Sequence, residues 1–118
     1  MRVIVCGSRT WDDADVIRER LDRLPADVTI VQGGARGADR IAWMWAGEAG
    51  VAFETYPADW DGDGRAAGPI RNQKMLDSGA DLVIAFRSEG ESRGTDHMCS
   101  IAARRGVPVE IIRKAGDE

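Results

Sequence analysis

Five short apolar runs, separated by stretches with helical spacing, dictate most of what this chain can become. Val3–Cys6 is a β-branched run with Gly7 directly behind it, and Val28–Val31 is closed by Gly33 and Gly34. Val51–Tyr56 ends at Pro57, Leu82–Phe86 gives way to the polar loop Arg87–Arg93, and Val107–Ile112 follows Gly106. Apolar runs of this length between turn signals read as strands. After the first, Val16, Ile17, Leu21 and Leu24 fall at helical spacing, with Thr10, Asp12 and Asp13 as capping residues in front and Pro25 just past the end. Further helices are expected over Ile41–Ala49, stopping at Gly50, from Pro69 to Gly79, and from Thr95 to Arg105. Pro69 suits a first helical position, where its missing N–H has no partner to lose. Ala58–Gly68 is dense in Gly and Asp and reads as a loop, and the tail from Lys114 is expected to fray.

Five strands alternating with four helices predict an α/β fold: a single Rossmann-like domain over residues 1–118, its five-stranded sheet mainly parallel with helices on both faces. Near-continuous apolar strands fit that arrangement, because such strands are covered on both sides. A length of 118 residues suits one domain. Sixteen Lys+Arg against 20 Asp+Glu gives a net charge of −4, which argues against a nucleic acid or a membrane surface as partner. No apolar run approaches the ~20 residues of a membrane span. The opening MRVIVCGSRT is too short in its apolar part for a secretory signal, so a cytoplasmic protein is expected. Cys6 and Cys99 form no CxxC pair, and Cys6 on a core strand reads as a small apolar residue.

In open parallel sheets, ligands bind beyond the carboxyl ends of the strands, near the point where strand order reverses. The loops after the first, second and fourth runs read GSRTW, GGARGAD and RSEGESRGTD. Glycine permits close backbone approach, a helix start offers free N–H groups, and Arg adds a planar donor fork that fits phosphate. Arg9, Arg36 and Arg93 are therefore expected to converge on an anion, with Arg71 joining from the third helix, the alternative being surface charges paired with nearby Asp and Glu. GGARGAD is neither GxGxxG nor GxxxxGK[ST], so neither the dinucleotide fingerprint nor the P-loop applies. Asp39 suits either a ribose hydroxyl or a helix cap. Ser8, Ser92 and Thr95 suit phosphate donation or turn capping.

Several other signals carry less. Asp59, Asp61 and Asp63 open like an EF-hand loop, but Ile70 stands where a bidentate Glu is required, and no metal is expected. Trp60 in that acidic loop suits either a lid over a base or packing on the core. His97, the single histidine, reads as a solvent-facing or capping residue. Trp43 and Trp45 are two apart and cannot share one helix face, so one is left for a partner and a homo-oligomer is expected.

The set GSR-x-W-x-D, GGARGAD, PADW, AGP-x-RN-x-x-M and SRGT resembles the YspA/YpsA-related branch of the SLOG superfamily, from about Val3 to Val109. That superfamily also holds the LOG phosphoribohydrolases and the DprA/Smf proteins. The resemblance implies a Rossmann-like fold and a site for a nucleotide or nucleotide-derived ligand, either a nucleoside phosphate or an ADP-ribose- or NAD-like molecule. Carried over by position, the ligand-binding residues are Gly7, Ser8 and Arg9; Gly33, Gly34, Arg36, Gly37, Ala38 and Asp39; Arg71 and Asn72; and Ser92, Arg93, Gly94 and Thr95. LOG enzymes read PGGxGTxxE, whose Glu serves N-glycosidic cleavage, whereas this chain places Met98 there. Methionine cannot act as a general base. The expected function is thus binding or sensing, with no cofactor. The alternative is a LOG-like hydrolase cleaving an N-glycosidic or phosphoester bond through Asp39, Asp96 or another carboxylate. A DNA-handling role, by analogy to DprA, is opposed by the net charge.

Overall fold

Alternate residues of the first apolar run serve two different cores. Val3 and Val5 belong to one and Ile4 and Cys6 to the other, as the period of two in a strand demands. In the computed structural model, which describes residues 1–114, this run is the centre of a five-stranded sheet. Its strands are β1 (Arg2–Gly7), β2 (Thr29–Gln32), β3 (Ala52–Thr55), β4 (Leu82–Arg87) and β5 (Val109–Arg113). Their order is β3-β2-β1-β4-β5, and every neighbouring pair is parallel.

The helices divide between the two faces. α1 (Ala14–Leu21) and α2 (Ala38–Ala49) cover one, where Ile17, Leu21, Ala42, Trp45 and Ala46 pack on Val3, Val5, Ile30, Ile84 and Phe86. The other is covered by α4 (Ala67–Asp77) and α5 (Arg93–Arg104), whose Met75, Leu76, Met98 and Ala102 meet Ile4, Cys6, Val31, Val83 and Ala85. Full burial of each large aliphatic side chain here contributes roughly 1.5–3 kcal/mol. The Rossmann-like α/β architecture expected from the alternation is therefore present, and its sheet is wholly parallel. Coverage on both faces holds for β1, β2 and β4 but not for the edges, since Ala52, Phe53 and Thr55 of β3 are exposed.

Ala58–Gly68, read above as a loop, is instead mostly helical. It holds the short helix α3 (Trp60–Asp63) and a 3-10 turn (Gly64–Ala66) that runs directly into α4. Asp59 starts α3 by accepting from the Gly62 N–H at 2.9 Å. α4 consequently begins at Ala67, and Pro69 is its third residue rather than its first. The first four N–H groups of a helix have no internal partner, so proline is tolerated there too. α2 and α5 also begin earlier than periodicity suggests, at Ala38 and Arg93, because their first turns lie at the ligand edge rather than over the apolar core. Residues 115–118 of the tail expected to fray lie outside the described residues, while Lys114 pairs with Asp12 at 3.3 Å. No helix among the described residues is long and apolar enough to cross a membrane.

Candidate ligand-binding groove

Strand order reverses between β1 and β4. The chain leaving β1 turns to the α1 face and the chain leaving β4 turns to the α5 face, so a crevice opens between their loops. Its two sides are stitched at the base. The Ser8 N–H donates to the Phe86 carbonyl at 2.9 Å, and the Ser88 N–H donates to Ser8 Oγ at 2.9 Å. Ser8 Oγ reaches Ser92 Oγ at 3.3 Å, and Ser92 Oγ donates to Thr95 Oγ1 at 2.9 Å. Trp11 pins the β1 loop from below. It is buried edge-on against Phe86 at 5.5 Å and donates its indole N–H to the Asp13 carbonyl at 2.8 Å.

Two glycines let the loops approach this closely. A Cβ on Gly7 would overlap the Phe86 carbonyl and the Ala38 side chain, so the start of α2 packs against the end of β1 only because residue 7 lacks one. Gly37 has φ +77° and lies against the Ser8 and Arg9 carbonyls, a conformation and a gap that other residues do not fit. Gly37 is the N-cap of α2 and makes no side-chain cap. Ser92, the N-cap of α5, makes none to the backbone either. Both helix starts thus keep unpaired first-turn N–H groups.

The resulting groove has two adjoining lobes. The inner one, of about 700 Å³, is lined by Ser8, Arg9, Arg36, Asp39, Arg71, Asn72 and Ser92–Thr95, with Cys6 and Met75 beneath. The outer one, of about 450 Å³, is lined by Gly33, Gly34, Arg40, Pro57 and Trp60 and shares Arg9, Ala35, Arg36 and Arg71 with the inner lobe. Both lie within the range common for small-molecule sites, roughly 300–1,000 Å³. Of the residues expected from sequence, all but Gly37 and Ala38 line one lobe or the other, and those two hold the start of α2 in place.

Arg71 is the most constrained of the arginines. It is partly buried, donates from Nη1 to the Gly33 carbonyl at 3.0 Å, and donates from Nε to Asn72 Oδ1 at 3.0 Å. Nε can only donate, so the Asn72 amide is oriented with its oxygen toward Arg71. Its NH₂ then donates to the Gly94 carbonyl and to His97 Nδ1, each at 3.1 Å. His97 is therefore neutral with its proton on Nε2, and burial moves its titration down. The histidine ties α4 to the start of α5 through Asn72. Burial also lowers the Arg71 titration, against the pull of nearby Asp39.

Asp39 is only 6% exposed. Its Oδ2 accepts from the Gly33 N–H at 3.1 Å and the Ala35 N–H at 3.3 Å, so the carboxylate braces the β2–α2 loop instead of capping α2. Burial raises its carboxyl from 3.8 to about 6, against those two bonds and the charges of Arg71 and Arg9. Arg9, Arg36, Arg40 and Arg71 form no ion pair among the described residues. Arg93 differs, for its side chain is 88% exposed and paired with Glu91 at 2.5 Å.

Asp96 and Met98 line neither lobe, and Cys6 lies at the base of the inner one. Asp96 points away and is held by Arg87 at 2.8 and 3.0 Å, which lowers its titration. Met98 is fully buried in the core under the sheet and faces neither lobe. Cys6 sits beneath the inner lobe, where the adjacent Cys99 thiol and burial push its own thiol well up and keep it protonated. Sequence reasoning missed Arg40 and Glu91 altogether. Arg40 lies in the first turn of α2 while Arg36 precedes the helix, so no helical spacing links the two and the sequence carried no signal for it.

The model of the YspA, cpYpsA-related SLOG family matches residues 1–62, which contain the GSRTW and GGARGAD loops. The chain is 41% identical over 117 residues to the Gene 61 protein of Mycobacterium phage D29, covering 92% of this chain and 93% of that one. Among solved structures it is similar to DNA processing protein A (DprA) from Streptococcus pneumoniae, with a TM-score of 0.60 and 18% identity. That likeness covers 92% of this chain but only 57% of the other, and it concerns the fold alone.

Proposed function

Because the chain belongs to the YspA, cpYpsA-related SLOG family, we propose that it binds or senses a nucleotide or nucleotide-derived ligand in the groove beyond β1 and β4. One observation carries this. Arg9, Arg36 and Arg71, all without a carboxylate partner among the described residues, meet two helix starts with unpaired N–H groups in a single cavity. A net charge of −4 makes that local excess of donors a matter of placement, not of composition. Phosphate supplies the acceptors, and charge-assisted bonds of this kind contribute about 1.5–3 kcal/mol each. In this assignment the first-turn N–H groups of α5, with Ser8, Ser92 and Thr95, hold phosphate oxygens, and Asn72 positions Arg71.

A second activity, cleavage of an N-glycosidic or phosphoester bond, has one observation in its favour. The buried Asp39 carboxyl titrates near 6 at the wall of the inner lobe, in the range useful to a general acid or base. Ligand-observed proton NMR with NAD, ADP-ribose and nucleoside monophosphates tests both. Saturation transfer without new base or sugar signals is the expected result, and new signals would establish turnover. Arg9→Ala and Arg36→Ala each weaken binding about tenfold or more with unchanged thermal unfolding, and Arg93→Ala, at the exposed rim, weakens it less. Unchanged affinity in all three variants overturns the proposal.

A further inference from the structure

The outer lobe combines several cations with one exposed aromatic ring. Four arginines, Arg9, Arg36, Arg40 and Arg71, face it together with Trp60, and no acidic residue lines it. Trp60 is a large apolar side chain left 51% exposed, yet it is held in place. Asp59 fixes the turn that carries it, through the Gly62 N–H at 2.9 Å and the Asp63 N–H at 2.8 Å. The far edge of the indole lies against Gly68, 3.4 Å from where a Cβ would stand. The Arg9 guanidinium lies over the ring, 5.9 Å from its centroid.

A fixed, half-exposed indole facing arginines is the chemistry that receives a planar heterocycle: stacking on one side, a cation on the other. We propose that the outer lobe is a base-binding subsite, and that the ligand of this groove is a two-part nucleotide. Its base stacks on Trp60 and its sugar-phosphate end occupies the inner lobe. A diphosphate lies between them on Arg9, Arg36 and Arg71, the arginines common to both lobes. This rests on the assignment of the inner lobe to an anionic, nucleotide-derived group.

The spacing is compatible. Stacked planes sit roughly 3.5 Å apart, so a base between indole and guanidinium needs roughly 7 Å between them. Arg9 must then move outward by roughly 1 Å, which an exposed side chain without an ion pair among the described residues can do. Arg40 flanks the lobe and adds to its positive charge, while Arg9 stacks on the base by its face and donates to the diphosphate by its edge.

Calorimetric titration with ribose 5-phosphate and with ADP-ribose, on the wild-type chain and on Trp60→Ala and Trp60→Phe, separates the possibilities. ADP-ribose is expected to bind wild type at least tenfold more tightly than ribose 5-phosphate. Trp60→Ala is expected to abolish that advantage while changing ribose 5-phosphate affinity less than twofold, and Trp60→Phe to restore most of it. Equal affinities for the two probes in wild type, or an equal loss of both in Trp60→Ala, overturn the two-part ligand and leave the inner-lobe assignment standing. Failure of both probes to bind wild type removes that assignment, and this one falls with it.

Discussion

Asp39 makes a measurable demand on stability. Its carboxyl belongs near 3.8 in the unfolded chain and near 6 in the folded one, because burial outweighs the Gly33 and Ala35 N–H donors and the nearby arginines. Between those two values the folded state binds more protons than the unfolded state, so stability falls as pH rises. Each pH unit between them is worth about 1.4 kcal/mol, giving a contribution of about 3 kcal/mol that is fully present below pH 4 and gone above pH 6. Asp39→Asn removes the titration but keeps an oxygen that can accept the same two N–H bonds. Urea unfolding of both proteins at intervals from pH 4 to pH 8 is the assay. Carboxylates with lowered titrations, such as Glu54 held near 2 first by its bond to Arg2, act in the opposite direction in both proteins and cancel in the difference. Relative to wild type, Asp39→Asn should therefore gain about 3 kcal/mol between pH 4 and pH 7, with most of the change between pH 4 and 6. A difference that stays flat across this range would refute the claim that desolvation dominates at this carboxyl.

Two further outcomes follow from the same geometry. A Cβ on Gly33 would overlap Arg71 Nη1 and stand 3.0 Å from Asp39 Oδ2. Gly33→Ala should therefore displace the guanidinium and lower ligand affinity about tenfold, with thermal unfolding shifted by only a few degrees, and titration calorimetry beside a melt checks both. Trp43 is 45% exposed and pairs with the exposed Phe53 at 6.3 Å, next to exposed Met44. If a second copy covers this patch, light scattering should give a multiple of 12.8 kDa for the wild type and 12.8 kDa for Trp43→Glu, and a monomeric wild type removes the expectation of a homo-oligomer.

What could be read from the sequence follows the range of the forces involved. β1 and β4 were legible because a parallel strand covered on both faces must be apolar along its buried stretch, and both are between Arg2 at the start of one and Arg87 at the end of the other. Arg9, Arg36 and Arg71 were legible because strand ends and helix starts have fixed directions once the sheet is parallel. Asp39 was ambiguous between capping and ribose binding, and the local structure shows that it does not cap α2. Its role as brace for Gly33 and Ala35 depends on how the β2–α2 loop folds back, which no spacing encodes. The helical nature of Trp60–Ala66 was hidden by its Gly and Asp content, which local propensity assigns to loops. The choice for Trp60 between lid and core needed the position of that segment against the β1 loop. Trp45 and Trp43, by contrast, divided as their spacing required: Trp45 is buried with its N–H on Asp22 at 2.8 Å, and Trp43 faces out.

The Met98 position bears on catalysis in a way that sequence spacing alone left open. Its side chain is sealed in the core with Ile4, Val31, Met75 and Val83, so a carboxylate there would be stranded among apolar neighbours and would not face the groove. Asp96 is turned toward Arg87, and Glu91 at the rim is tied to Arg93. Asp39 is then the one buried carboxyl lining the inner lobe among the described residues, and it already accepts two loop N–H bonds through a single oxygen. Oδ1 accepts no hydrogen bond among the described residues and is the atom left for a ligand hydroxyl or a proton transfer. Holding the carboxyl at about 6 costs stability at neutral pH, and an anionic ligand placed beside it raises that value further, since a second negative charge disfavours the ionised form. An anionic ligand bound in the inner lobe would thus couple to proton uptake at Asp39 whether or not a bond is cleaved, and titration calorimetry with a non-titrating diphosphate should show affinity rising as pH falls toward 6 and levelling off below it.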